Sequence, residues 1–319
     1  MDAEPAPAVR CAVLARALEE PLAGTAPVAR RWLCVEHPGA WPRRVSQHPD
    51  PALRHLAEQA LAAGWRPLLI RRPGRRPRAS GPLTVLLADT DPADPRVSRL
   101  VLPPGRLGSL RLPGPEEPLP GTPVRDPLLL ICTHGRRDVC CALDGRALVT
   151  SVLAGNPEMA PNVWESSHLG GHRFAPTALV LPTGYLYGRL DPATAVDVVK
   201  AAAHGEMEPL LCRGRSTWPP EGQVAEIAVR KATGLREAVA VRVEECTTTV
   251  PATVPPGHAA APTVGMSQVL VSAADGRRWL VDVVQVAPDR TRPPSCGADP
   301  TPVARLRPGV VRLLPTVAS

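Results

Sequence analysis

The chain has 319 residues, 44% of them hydrophobic and 21% charged. These are globular averages, and the length suits two or three domains with real cores. Proline and glycine, at 41 and 25 residues, stay below the share of roughly 25–30% expected of a low-complexity chain, which excludes wholesale disorder. No run approaches the ~20 apolar residues that a membrane-spanning helix requires.

The formal net charge is +7, and Lys200 and Lys231 are the only lysines, so 35 of the 37 basic residues are arginine. That bias is typical of a GC-rich genome and weakens any inference from charge to partner. The densest patch, Arg71-Arg72-Pro73-Gly74-Arg75-Arg76-Pro77-Arg78, reads as a solvated loop after a strand. Aromatic residues are 3% of the chain and Phe174 is the sole Phe. Stacking platforms for single-stranded nucleic acid are hard to assemble from so few, and nucleic acid is not an expected partner. The opening Met1-Asp2-Ala3-Glu4-Pro5 has neither the basic start nor the apolar stretch of a secretory signal, so a cytoplasmic protein is expected.

In chain order, residues 31–36 read as a strand. A helix follows over 51–63, with Asp50 as N-cap, Pro51 in the first helical position and Gly64 as the stop. Strands are predicted at 67–71 and 83–88, and the stretch 103–127 is rich in proline and glycine. Leu128-Leu129-Leu130-Ile131-Cys132 is a short apolar run, hence a buried strand. A helix is predicted over about 139–153, then a strand at 163–166 and a hairpin over 177–190 turning at Pro182-Thr183-Gly184. Asp191 and Pro192 open a helix across 193–203. Beyond residue 212 the pattern changes to a helix at 221–233 and strands at 238–245, 266–272, 279–286 and 309–314. No internal repeat is evident, although the first two units share an α/β character. The fold class is α/β. Its expected division is an N-terminal α/β unit (1–105), a Pro/Gly-rich linker (106–120), a central α/β domain (121–212) and a C-terminal α+β extension (213–319).

Eight cysteines are present: Cys11, Cys34, Cys132, Cys140, Cys141, Cys212, Cys246 and Cys296. With no export signal, buried thiols, metal ligands or redox centres are favoured over disulfides. Two segments stand out: Cys132-Thr133-His134-Gly135-Arg136-Arg137-Asp138-Val139-Cys140-Cys141 and Ser167-His168-Leu169-Gly170-Gly171-His172. The first places thiols on both sides of one loop, at the end of a strand and the start of a helix, where N–H groups favour anions. Arg136 and Arg137 add positive charge there, and such surroundings favour thiolate, the form that binds metal. Between the two histidines, Gly170-Gly171 points to a tight loop whose backbone closely approaches something. Two thiols and two imidazoles suit tetrahedral zinc or an iron–sulfur cluster with mixed ligands. The thiol loop is wider than the usual zinc spacing and better suited to two irons. A Rieske centre is disfavoured, because both thiols precede both histidines.

Together with Leu181-Pro182-Thr183-Gly184-Tyr185-Leu186-Tyr187-Gly188, the opening Leu22–Leu33 and Arg213-Gly214-Arg215-Ser216, these segments resemble the sucrase/ferredoxin-like family. The resemblance implies a thioredoxin-like [2Fe-2S] ferredoxin domain of the bis-histidinyl, non-Rieske kind. It implies Cys132, Cys141, His168 and His172 as cofactor and metal ligands, with Cys140 the alternative to Cys141. His134, Arg136, Arg137 and Arg173 are expected around them, His134 bonding the cluster's surroundings or capping the turn. A glycosidase needs two carboxylates facing across a sugar, and no such pair stands out. The expected function is therefore electron transfer or redox sensing with an unidentified redox protein or reductase, an acidic one being favoured by steering.

Replacing two thiolates by neutral imidazoles makes an oxidised cluster less negative. The comparison is about −400 mV for plant-type ferredoxins against about −150 to +300 mV for His-ligated Rieske centres, so the potential should lie clearly above the all-cysteine class. Reduction should couple to protonation of a histidine ligand. The alternatives are a structural zinc site on the same four residues, or a thioredoxin-type thiol-redox protein, for which no Cys-x-x-Cys is present. Among the other cysteines, Cys34 reads as core. Cys11, Cys212, Cys246 and Cys296 read as incidental, with Pro294-Ser295-Cys296-Gly297 the one candidate for an exposed reactive thiol.

Overall fold

The structure is a computed structural model that describes residues 10–74, 81–103, 105–249 and 263–315. Helix α1 (Cys11–Ala17) leads into β1 (Arg31–Glu36), α2 (Pro51–Ala62), β2 (Trp65–Arg71), β3 (Leu83–Asp89), β4 (Arg96–Leu102) and the short β5 (Thr122–Pro123). The middle of the chain forms β6 (Leu128–Cys132), α3 (Val139–Gly155), β7 (Val163–Ser166), β8 (Thr177–Leu181), β9 (Tyr185–Gly188), α4 (Pro192–Ala203) and β10 (Cys212–Arg215). Helix α5 (Pro220–Thr233) then precedes β11 (Val241–Thr249), β12 (Thr263–Ala273), β13 (Arg278–Val286), β14 (Thr291–Arg292), β15 (Thr301–Pro302) and β16 (Arg305–Leu313). The α/β expectation is met. Helix α1 and strand β4 were not anticipated, because their short segments lack a clear period.

Strands β1 to β10 form one curled sheet in the order β10-β9-β8-β6-β7-β2-β1-β3-β4-β5. The order contains a repeat that the sequence conceals. Strands β1 and β2 are parallel, joined through α2, and β1 is flanked by antiparallel β3 and then β4. Strands β6 and β7 are likewise parallel, joined through α3, with β8 and β9 flanking β6. The two halves meet where β2 and β7 pair antiparallel, Ile70 opposite Ser166 and Arg71 opposite Glu165. Strand topology depends on where apolar side chains fall rather than on their identity, so it repeats without visible sequence similarity.

The two-residue period of β6 sorts its side chains between two cores. Leu129 and Ile131 pack with Leu148, Val149 and Val152 of α3 and with Val198 of α4. Leu128, Leu130 and Cys132 face Trp32, Leu68, Ile70, Leu86 and Trp164 on the other side. Cys132 thus ends a strand in which every residue is buried.

Helix α5 lies against β11, β12, β13 and β16, an antiparallel sheet in the order β11-β12-β13-β16. Its Arg230 and Glu226 form a buried pair that includes Tyr185 of β9. Between β13 and β16 the chain makes an excursion, the β14–β15 hairpin, which carries Cys296 back to the start of α3. Of the arginine-rich patch, Arg71 pairs with Glu165 and Arg72 stacks on Trp164. Arg75, Arg76 and Arg78 lie outside the described residues. Among the described residues no helix is long and apolar enough to cross a membrane.

Candidate metal centre

Helix α3 organises the site. Asp138 is its N-cap, extended in backbone, and accepts a hydrogen bond of 2.8 Å from the Cys140 N–H. Cys140 and Cys141 therefore lie in the first turn, where successive side chains diverge by about 100° around the axis. Cys141 turns to Cys132 and the core inside the curled sheet. Cys140 turns to Cys11, Ala12 and Ala175. The helix approaches β6 closely because residue 145 is glycine: a Cβ there would lie 2.0 Å from the Cys132 carbonyl oxygen.

The second segment is a loop between β7 and β8. Ser167 ties it to β2, its N–H donating to the Leu69 carbonyl at 2.7 Å and its Oγ accepting from the Leu69 N–H at 2.9 Å. Gly170 and Gly171 both have positive φ, and a Cβ on Gly171 would fall 2.2 Å from the Arg213 guanidinium. The close approach expected of the glycine pair is thus to a side chain. Buried Arg213 donates to the Gly170 carbonyl at 2.9 Å and to the Thr25 backbone and hydroxyl.

These elements bring the ligand atoms of Cys132, Cys141 and His168 within 4.8 Å of one another. Cys132 and Cys141 are buried, and the buried Nδ1 of His168 has no hydrogen-bond partner. The hydrogen bond from Cys141, with His168 assisting, holds Cys132 well below the ordinary thiol range against the effect of burial. Cys141, donating to that sulfur and itself buried, is pushed well up. His172 does not join the compact group. Its ring lies 5.5 Å from that of His168, centroid to centroid, while its Nδ1 is 3.1 Å from Asp138 Oδ2 and 3.4 Å from Cys11 Sγ. With Nδ1 engaged by a carboxylate, Nε2 is the nitrogen left to bind a metal, a common way of fixing a ligand imidazole.

His134 is buried with both ring nitrogens unpartnered, packs edge-on against Trp41 and is held below the ordinary range by burial. Together with His168 it lines a cavity of about 220 Å³ whose walls include Arg43, Arg44, Arg66 and Arg137. Arg136 is exposed. Arg173 donates to Glu20 Oε1 at 2.7 Å. Glu20 also accepts two bonds from Arg292, at 2.7 and 2.8 Å.

A second thiol group, unanticipated from the sequence, lies on the other side of the helix start. Cys11, Cys140, Cys296 and Asp138 also have ligand atoms within 4.8 Å of one another. Cys296 is half-buried there and is not the exposed thiol its Pro-Ser-Cys-Gly context suggested. The hydrogen bond from Cys11 draws the Cys140 thiol down to about 7, while burial takes Cys296 up to about 11. Burial acts to raise Asp138, but His172 and the N–H groups of Cys296 and Cys140 more than offset it and hold the carboxyl well below its usual range. The capping role of Asp138 emerges from the structure. Nothing local to Cys11 or Cys296 announces that they meet. Cys34, Cys212 and Cys246 join neither group, and burial is the leading cause of the raised thiol range of all three.

The sequence model described as sucrase/ferredoxin-like matches residues 22–214, more than half of the chain. The chain belongs to the sucrase/ferredoxin-like family. Searches of curated proteins and of solved structures each returned no match. The family match contains Cys132, Cys141, His168 and His172, and both Cys11 and Cys296 fall outside it.

Proposed function

We propose that this sucrase/ferredoxin-like chain is an electron-transfer protein whose Cys132, Cys141, His168 and His172 hold one [2Fe-2S] cluster. The observation that carries the reading is the convergence of two buried thiols and a histidine with an unpartnered buried nitrogen, beside a second histidine whose Nδ1 is already engaged. Thiolate and imidazole are suitable donors for iron. Bound there, the cluster would supply one-electron storage at a potential raised by its two neutral ligands.

The chain's own residues do the rest. Cys132, at the end of a buried strand, and Cys141, in the first turn of a capped helix, are held by backbone that cannot shift without breaking β6 or α3. Asp138 orients the His172 ring through Nδ1. The Gly170-Gly171 turn, clamped by Arg213, fixes the separation of the two histidines. The arginines around the cavity at His134 and His168 give the approach a positive field, which supports an acidic redox partner.

The test is an anaerobic visible spectrum with iron, sulfide and zinc quantified on the same sample. A red-brown protein with two irons and two sulfides that bleaches on reduction is expected. A structural zinc site is the second reading, favoured by one observation: the Cys132, Cys141 and His168 ligand atoms are close enough for a single ion to span. Colourless protein that refuses iron and sulfide, with zinc lost on substitution of Cys132, would establish that reading instead.

A further inference from the structure

The group of Cys11, Cys140, Cys296 and Asp138 has the dimensions of a metal site in its own right. The three sulfurs form a near-equilateral triangle: Cys11 to Cys140 is 3.7 Å, Cys140 to Cys296 is 3.4 Å and Cys11 to Cys296 is 3.6 Å. Zinc–sulfur bonds of about 2.3 Å in a tetrahedron place sulfurs about 3.8 Å apart, and a zinc–oxygen bond of about 2.0–2.2 Å places the oxygen about 3.6 Å from each sulfur. Asp138 Oδ1 lies 3.4 Å from Cys296 Sγ and 3.8 Å from Cys11 Sγ. The separations are too long for disulfides, whose sulfurs bond at about 2.0 Å. An odd number of thiols would in any case leave one over.

The surroundings are built for an anionic ligand set. The Cys11 N–H points at Cys296 Sγ at 3.4 Å. The carboxylate is oriented by two backbone donors, Cys140 N–H at 2.8 Å and Cys296 N–H at 2.9 Å, and by the His172 ring. Asp138 and Cys140 open a 17-residue helix, whose N-terminus favours negative charge. Arg173, which follows His172 in the chain, and Arg292, four residues before Cys296, are brought together on Glu20.

We propose that Cys11, Cys140 and Cys296, with the Asp138 carboxylate as fourth ligand, bind one structural zinc ion. The set is closed, with three soft thiolates and one oxygen, which suits structural zinc rather than a catalytic ion with an open position. On binding, each thiol releases its proton to solvent and zinc remains divalent. The ion ties three distant segments together: helix α1, the start of α3 and the β14–β15 excursion. It also fixes Asp138, and through it the ring of His172. The proposal shares no ligand with the Cys132–Cys141–His168 group and does not rest on the cofactor assigned there.

Zinc and iron per chain are to be measured on the full-length protein and its variants after expression with both metals. Wild-type protein should carry one zinc. Cys132→Ser should keep that zinc and lose any metal of the first group. Cys11→Ser and Cys296→Ser should each lose the zinc. A Cys132→Ser protein without zinc, or a Cys11→Ser protein that keeps a full equivalent, overturns the proposal. Should Cys11→Ser fail to fold, zinc-edge X-ray absorption of the wild-type protein decides. Three sulfurs at about 2.3 Å and one oxygen at about 2.0 Å support the site, whereas two sulfurs with two nitrogens place the zinc on the first group and overturn it.

Discussion

Two cysteine groups flank the start of one helix, and they were assembled in opposite ways. Cys132, Cys141 and His168 come from a strand end, the helix that follows it and the next loop, all within 37 residues. Cys11, Cys140 and Cys296 come from a short helix near the N-terminus, the same α3 turn and a hairpin excursion near the C-terminus. The helical step of about 100° sends the adjacent residues Cys140 and Cys141 to different groups. A local motif can therefore specify one site, while its neighbour exists only because distant segments dock.

The sharpest test of that comparison exchanges adjacent residues. Cys141→Ala should abolish the iron and the visible absorption while leaving the zinc. Cys140→Ala should do the reverse, and metal analysis of both proteins reads the outcome. If both variants lose both metals equally, the two groups are not separate.

Next in size is the clamp that Glu20 forms with Arg173 and Arg292. Glu20 is 3% exposed and serves both Arg173 and Arg292. Removing one partner of a buried ion pair costs roughly 3–5 kcal/mol, so Glu20→Ala should shift the urea midpoint accordingly. Its metal loss should fall on the second group rather than the first.

Gly145→Ala addresses what the two groups share. Its methyl would collide with the Cys132 carbonyl, and relieving such overpacking costs about 1–3 kcal/mol. The displaced helix should weaken metal retention in both groups, as competition with a chelator would measure.

Smaller effects concern charge. His168→Cys, if the cluster survives, should lower the midpoint potential, because an anionic ligand replaces a neutral one. Its pH dependence should also flatten. Protein-film voltammetry across pH checks both, and a raised potential would contradict the charge argument. The smallest effect is in the pH dependence of stability. Burial acts to raise the Glu20 carboxyl, but Arg292 and Arg173 hold it below the ordinary range. Its stabilisation is therefore fully present above the unfolded value of about 4.3 and is lost as pH falls through the lower folded value. Glu20→Gln should show a shallower loss of stability on acidification than wild type in denaturant titrations.

Much of the framework was legible. The all-apolar run 128–132 is β6, and the Asp50-Pro51 and Asp191-Pro192 pairs open α2 and α4. The strand predicted at 238–245 instead begins at Val241 and runs to Thr249, after a turn that supplies the Ala238 carbonyl to Arg215 and Arg230. Ionic and hydrogen-bonding partners of this kind are chosen by packing and leave no period in the sequence.

What the sequence by itself determined is the hydrophobic order of the strands, the capping of the helices and the first thiol–histidine group. Each of these depends on neighbours a few residues apart. The repeat of the two sheet halves, the close contact allowed by Gly145 and the meeting of Cys11 with Cys296 were decided only by tertiary structure. Residues 285 positions apart have no local interaction through which either could signal the other. They meet because β2 pairs with β7, α5 docks on the C-terminal sheet, and Glu20 gathers Arg173 and Arg292 into one buried ionic cluster.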